Sequence, residues 1–206
     1  MKVLLINGSP HEKGCTYTAL SLIAEELKAQ GIETEILHVG GQPVGGCIGC
    51  GGCRSGNGCV FGGVVNEAIE KAKTADAFVF GSPVHYASAA GNMASFMDRL
   101  AYAGGKYLAY KPAAICCSAR RAGTTSTLDQ LVKYPQFFHM PLVNGSYWAM
   151  VHGSNPEQVL QDAEGCAVMQ ELGRNMAWLL RCIEAGKAAG IDHPQNPPRP
   201  KTSFIR

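Results

Sequence analysis

The chain has 206 residues, 46% of them hydrophobic, and a formal charge of +2 from 18 Lys and Arg against 16 Asp and Glu. That length suits one domain with a sizeable core, and the composition is globular, which argues against disorder. The near-neutral charge offers no basic field for nucleic acid, and no apolar run approaches the roughly 18–20 residues that a membrane span needs.

The start, MKVLLINGSP, has one Lys and an apolar run too short for a signal peptide. It reads as a buried first strand, Lys2–Asn7, closed by Gly8-Ser9-Pro10. A loop from His11 to Cys15 leads into a helix from Thr16, with Leu20, Ile23, Ala24 and Leu27 at helical spacing and Gly31 as its stop. Glu33–Val39 reads as a second strand, and a Gly- and Cys-rich loop fills 40–62. A helix follows, with Val65, Ala68, Ile69 and Ala72 on one face. Ala77–Phe80 is a third strand, again closed by Gly-Ser-Pro, and Ser88–Tyr102 a helix with Met93, Phe96, Met97 and Leu100 inward. Ala113–Cys117 is a fourth strand, Thr124–Val132 a helix and Pro141–Trp148 a fifth strand. A long helix over 156–188 closes a domain of residues 1–190, and the Pro-rich segment 191–206 reads as an extended tail.

Five strands alternating with helices imply an α/β fold, a parallel sheet with helices on both faces. Right-handed crossovers put the loops after strands one, three and four along one edge, where such sheets bind ligands. With an N-terminal run too short for a signal peptide, the expected compartment is the cytoplasm, where thiols stay reduced. Nine cysteines there point to metal, redox chemistry or core packing.

The first of those loops, Gly8-Ser-Pro-His-Glu-Lys-Gly14-Cys-Thr16, admits two readings. One is an anion site of free backbone N–H groups at a helix start, aided by the Ser9 and Thr16 hydroxyls. The other is an ordinary strand-to-helix turn capped by Thr16. Five residues separate Gly8 from Gly14, not the four of a Walker A loop, and the GxGxxG of a Rossmann site is absent. Cys15 stands where a thiolate is favoured, yet such a residue more often offers only its backbone N–H.

NGSPHEKGCT, GSPVHYASAAGNMASFMDR and CSARRAGTTSTLDQL, in that order on the three expected loops, resemble the flavodoxin-like NAD(P)H-dependent FMN reductases. That group includes quinone reductases and iron–sulfur flavoproteins. The resemblance covers residues 1–185. It implies a three-layer sandwich around a five-stranded parallel sheet of order 2-1-3-4-5, with FMN across the switch point. It implies that Ser9, His11, Cys15 and Thr16 hold the FMN phosphate, with Gly14 at the tight turn; the family often has Arg where His11 stands. It places Pro83, Val84, His85 and Tyr86 along the isoalloxazine ring. It also places Ser118, Ala119, Arg120, Arg121, Ala122 and Gly123 around the pyrimidine side, where an arginine would stabilise anionic reduced flavin. The competing reading of Arg120 and Arg121 is a pair of solvated loop charges. Asp98-Arg99 is structural in the family, and Asn92 and Met93 read as helix-face or subunit contacts. Tyr147, Trp148 and His152 read as core or dimer packing in preference to a pocket wall.

Cys47, Cys50, Cys53 and Cys59 resemble the compact motif of iron–sulfur flavoproteins, whose thiolates hold a [4Fe–4S] cluster. Glycines at 46, 49, 51, 52, 56 and 58 allow the backbone to wrap. Metal-free thiols and zinc remain open alternatives. Cys116, Cys117, Cys166 and Cys182 read as small core residues. The resemblance thus implies an FMN-dependent oxidoreductase, with NAD(P)H as co-substrate, a small-molecule acceptor and a homodimeric or homotetrameric assembly. The rivals are an electron carrier with protein partners and a cysteine-based redox sensor.

Overall fold

The computed structural model describes residues 1–198, 200, 202 and 204. The strands are β1 (Lys2–Asn7), β2 (Glu33–His38), β3 (Ala77–His85), β4 (Ser88–Ala89), β5 (Ala113–Ala119) and β6 (Met150–His152). The helices are α1 (Cys15–Ala29), α2 (Val64–Thr74), α3 (Gly91–Gly104), α4 (Thr124–Phe137), α5 (Pro156–Val159) and α6 (Ala163–Ala188).

The central sheet runs β2-β1-β3-β5-β6, all parallel, and β4 pairs antiparallel with the end of β3. This is the flavodoxin-like connectivity expected; the short β4 shifts the numbering, so 2-1-3-4-5 becomes 2-1-3-5-6. Alternate side chains of each strand enter two cores. Leu4, Ile6, Phe78, Phe80, Ile115 and Cys117 pack with α2, α3 and α4, while Val3, Leu5, Ala77, Val79, Ala114 and Cys116 pack with α1 and α6. The period of two along each strand therefore builds the three layers. Phe78 and Phe80 stack with ring centroids 5.9 Å apart, and burial of each contributes about 1.5–3 kcal/mol.

The fifth strand needs correction. β6 pairs Met150–His152 with Cys117–Ala119, and of the expected segment 141–148 only Leu142 bridges to Ala113. Side chains of α6 capture the polar stretch between. The Ser146 N–H donates to Glu171 Oε2 at 2.6 Å, and Asn175 Nδ2 donates to the Asn144 carbonyl at 2.8 Å. The detour leaves Tyr147 and Trp148 exposed, so neither is core in this chain. The last helix is likewise divided, because Asp162 caps a new start by accepting from Gly165 N at 3.0 Å. α3 begins at Gly91, since Ser88-Ala89 is diverted into β4. Cys182 is exposed, not core, while Cys116 and Cys117 are buried. Residues 191–198 of the C-terminal segment carry no regular secondary structure; the part of that expectation on 199, 201, 203, 205 and 206 lies outside the described residues.

Candidate functional site

Three loops meet at the carboxyl ends of β1, β3 and β5. The first is fixed from beneath by Asn7, fully buried at the end of β1, which accepts from Ser9 N at 3.1 Å and donates to the Glu12 carbonyl at 2.9 Å. Ser9 Oγ accepts from His11 N at 3.1 Å, and the His38 ring at the end of β2 lies 2.8 Å from the Ser9 carbonyl. Gly14 is the N-cap of α1 and has no side chain to offer the first-turn amides, which favour an anion at that end. A side chain there would crowd His11, its Cβ falling 2.9 Å from that of His11.

The second loop is the β3–β4 hairpin. Val84 pairs with Ala89 and His85 with Ser88, so Tyr86 and Ala87 are the two turn residues. Both have positive φ, 50° and 57°, as a type I′ turn demands of residues that are seldom Gly-free there. Such strain persists where surrounding contacts enforce it. Gln130 of α4 supplies them by accepting from Ser88 Oγ at 2.6 Å and Ala89 N at 2.9 Å, and Ser126 Oγ donates to the Ala87 carbonyl at 2.6 Å. His85 and Tyr86 are exposed at the tip.

The third loop joins the other two. Thr16 Oγ1 and Ser118 Oγ lie 2.8 Å apart, at 1% and 4% exposure, and so tie α1 to the end of β5. Gly123, at φ 95°, abuts the hairpin: a Cβ there would stand 2.6 Å from Ala87 Cα and 2.8 Å from Val84 Cγ1. Arg120, Arg121 and Ala122 are exposed, Ala119 is buried, and the Arg121 carbonyl sits 3.2 Å from His152 Nε2. Cys15 turns its thiol to the Gly153 carbonyl at 3.5 Å. Burial pushes that thiol's pKa up, with Glu157 adding to the rise against the cysteine's own backbone N–H, which works against a thiolate at the helix start.

These features fit a phosphate ester and a flat ring. The uncapped helix end and small hydroxyls would receive the phosphate, and the strained hairpin and glycine-lined third loop would flank the ring. Asn7, His38, Ser126, Gln130 and His152 were not singled out as site residues from sequence. Each holds backbone of a site loop, and only Asn7, a polar residue ending an apolar strand, carries a local signal.

The cysteine loop is rooted beside the first loop. Asn92 donates to the carbonyls of Gly40 and Gln42 at 3.1 and 3.0 Å and accepts from Val44 N at 3.1 Å, while neighbouring Met93 abuts Gly8. Gly49, Gly51, Gly56 and Gly58 all take positive φ as the chain wraps. Cys47, Cys50, Cys53 and Cys59 line one cavity of about 280 Å³ with Phe61, Arg99 and Tyr102. Among the described residues, no three His, Cys, Asp or Glu side chains are grouped tightly enough to hold one metal ion. A single tetrahedral ion needs its sulfurs about 2.3 Å away, whereas a four-iron cluster would give each thiolate its own iron. Asn66 fixes Cys59 by accepting from its N–H at 2.8 Å and donating to its carbonyl at 3.0 Å.

Residues 1–155 match the family of NADPH-dependent FMN reductases. The chain is 30% identical over 196 residues to an iron-sulfur flavoprotein of Methanocaldococcus jannaschii, covering 89% of this chain and 100% of that one. Among solved structures, RosB with bound 8-demethyl-8-formylriboflavin-5'-phosphate superposes with a TM-score of 0.70 at 14% identity, covering 100% of this chain and 94% of that one. An NADH:FMN oxidoreductase in its apo form gives 0.64 at 16% identity, covering 86% and 89%.

Proposed function

This chain belongs to the NADPH-dependent FMN reductase family, and from that premise we propose that it is an oxidoreductase that uses NAD(P)H to reduce a quinone, a free flavin or a nitro- or azo-aromatic acceptor. The observation that carries the reading is the meeting of the three loops, tied by the buried Thr16–Ser118 hydrogen bond of 2.8 Å. In this reading Ser9, His11, Cys15 N–H and Thr16 hold the FMN phosphate at the start of α1, with Gly14 keeping the turn tight. Pro83, Val84, His85 and Tyr86 lie along the ring in this reading, with backbone N–H groups after the proline orienting it. Ser118, Ala119 and Gly123 border its pyrimidine side, and Arg120 or Arg121 brings positive charge there. Bound FMN would supply the hydride and electron transfer between NAD(P)H and the acceptor, while these residues bind and orient it. No side chain is required as a general base, and the exposure of Tyr86 and both arginines leaves the ring face open to a substrate or a second subunit.

The four loop cysteines would hold a [4Fe–4S] cluster, which exchanges single electrons. The cavity supports this through Arg99, a buried cation beside Cys59. Ile48, Val60, Phe61 and Tyr102, all exposed at its rim, fit a homo-oligomeric contact. No helix among the described residues is long and apolar enough to cross a membrane. The free loop thiols fit a reducing cytoplasm.

The test is an anaerobic visible spectrum with iron and sulfide assays, followed by NADH and NADPH oxidation against a series of acceptors. Flavin bands and turnover support the reductase. Flavin without nicotinamide turnover would favour the electron carrier. Failure to take up added FMN overturns the reading.

A further inference from the structure

Arg99 is 7% exposed, at the inner wall of the cysteine cavity. Its fork reaches three points of the loop: Nε–H donates to Cys59 Sγ at 3.3 Å, Nη1 to the Gly45 carbonyl at 3.4 Å and Nη2 to the Gly62 carbonyl at 3.0 Å. The guanidinium also lies 5.7 Å from the Phe61 ring centroid. Among the described residues no ion pair neutralises it. Its neighbour Asp98 turns elsewhere and accepts from Tyr134 Oη at 2.6 Å. Carbonyls satisfy the N–H groups of a buried guanidinium but do not cancel its charge, and an uncompensated buried ion is expensive. Among the described residues, the only other group it donates to is a cysteine sulfur.

We propose that Arg99 is the charge-compensating residue of the cysteine site, and that its Nε–H···Sγ contact to Cys59 raises the electron affinity of a cluster held there. The inference rests on the reading of the loop as a cluster site. One-electron reduction adds a negative charge to the cluster and its four thiolates without breaking an iron–sulfur bond. A fixed cation and a hydrogen bond to a ligating sulfur both stabilise that added charge. Were Arg99 only a clasp between Gly45 and Gly62, its removal would loosen the loop and leave the potential of an assembled cluster unchanged.

The experiment compares anaerobically reconstituted wild type, Arg99→Gln and Arg99→Lys. Iron and sulfide per chain are assayed first, and each sample is then titrated with dithionite and followed by electron paramagnetic resonance. The expected result is about a tenfold weaker reduction equilibrium for Arg99→Gln, a midpoint about 59 mV lower for one electron, with Arg99→Lys between it and wild type. Equal midpoints in all three proteins overturn the role of Arg99 while leaving the cluster reading intact. Loss of the cluster from both variants, with FMN still bound, also overturns it and makes Arg99 a clasp. A wild type that takes up no iron and sulfide overturns the cluster reading and this inference with it.

Discussion

Gly123→Ala separates site geometry from general stability. At φ 95° an L-residue is strained by about 1–2 kcal/mol. The added methyl would stand 2.6 Å from Ala87 Cα, and that contact is backbone, so no rotamer change relieves it. Carbon atoms pack at about 3.5–4.0 Å, so the third loop and the hairpin must part by about 1 Å, a strain of about 1–3 kcal/mol. Together these lower the melting temperature by about 4–20 °C, at about 2–4 °C per kcal/mol for a chain of this size. The parting also displaces the third loop from the hairpin that would flank the ring, and FMN affinity falls by about 10–100-fold, or about 1.4–2.8 kcal/mol. Gly31→Ala is the control. It has φ 77° at the far end of α1 and nothing within 4 Å of its would-be Cβ, so it carries the backbone strain without the clash. Fluorescence titration of apoprotein with FMN, beside thermal melts of both variants, makes the comparison. Wild-type FMN affinity in Gly123→Ala, or equal loss in Gly31→Ala, refutes the reasoning.

Thr16→Val leaves the Ser118 hydroxyl buried without its partner, and urea unfolding should show a loss of about 1–3 kcal/mol, part of which the double variant with Ser118→Ala restores. Lys2 and Lys71 hold the Glu35 carboxyl below its usual range. A depressed folded value contributes stability above the unfolded value that is lost as pH falls through the folded one. Glu35→Gln should therefore lose less than about 1 kcal/mol at pH 7, and the difference should shrink as the pH falls into the acid range and in high salt. Mass-mapped alkylation of the apoprotein at pH 8 should label exposed Cys47, Cys50 and Cys182 first; burial protects Cys116 and also Cys117, whose thiol is pushed up to about 12. Labelling of the buried pair as fast as the loop would contradict the packing of β5.

The sequence by itself determined the layers and the edge. Runs such as Val3–Ile6 and Ala77–Phe80 can only be strands buried on both faces, and helical spacing in between makes crossovers that bring the Gly-Ser-Pro and Ser-Ala-Arg-Arg loops together. The cysteine spacing was legible because it is local. Tertiary structure alone decided the rest, because it depends on partners far along the chain. Ser88-Ala89 reads as helix until Gln130, on α4, draws it into a strand. Residues 141–148 read as a strand until Glu171 and Asn175 take their backbone. Asp98-Arg99 reads as a structural pair, and only the fold shows Arg99 buried with its Nε 3.3 Å from a sulfur 40 residues earlier. Local pattern reports which face of an element is apolar; it does not report which distant polar group will arrive to bind it.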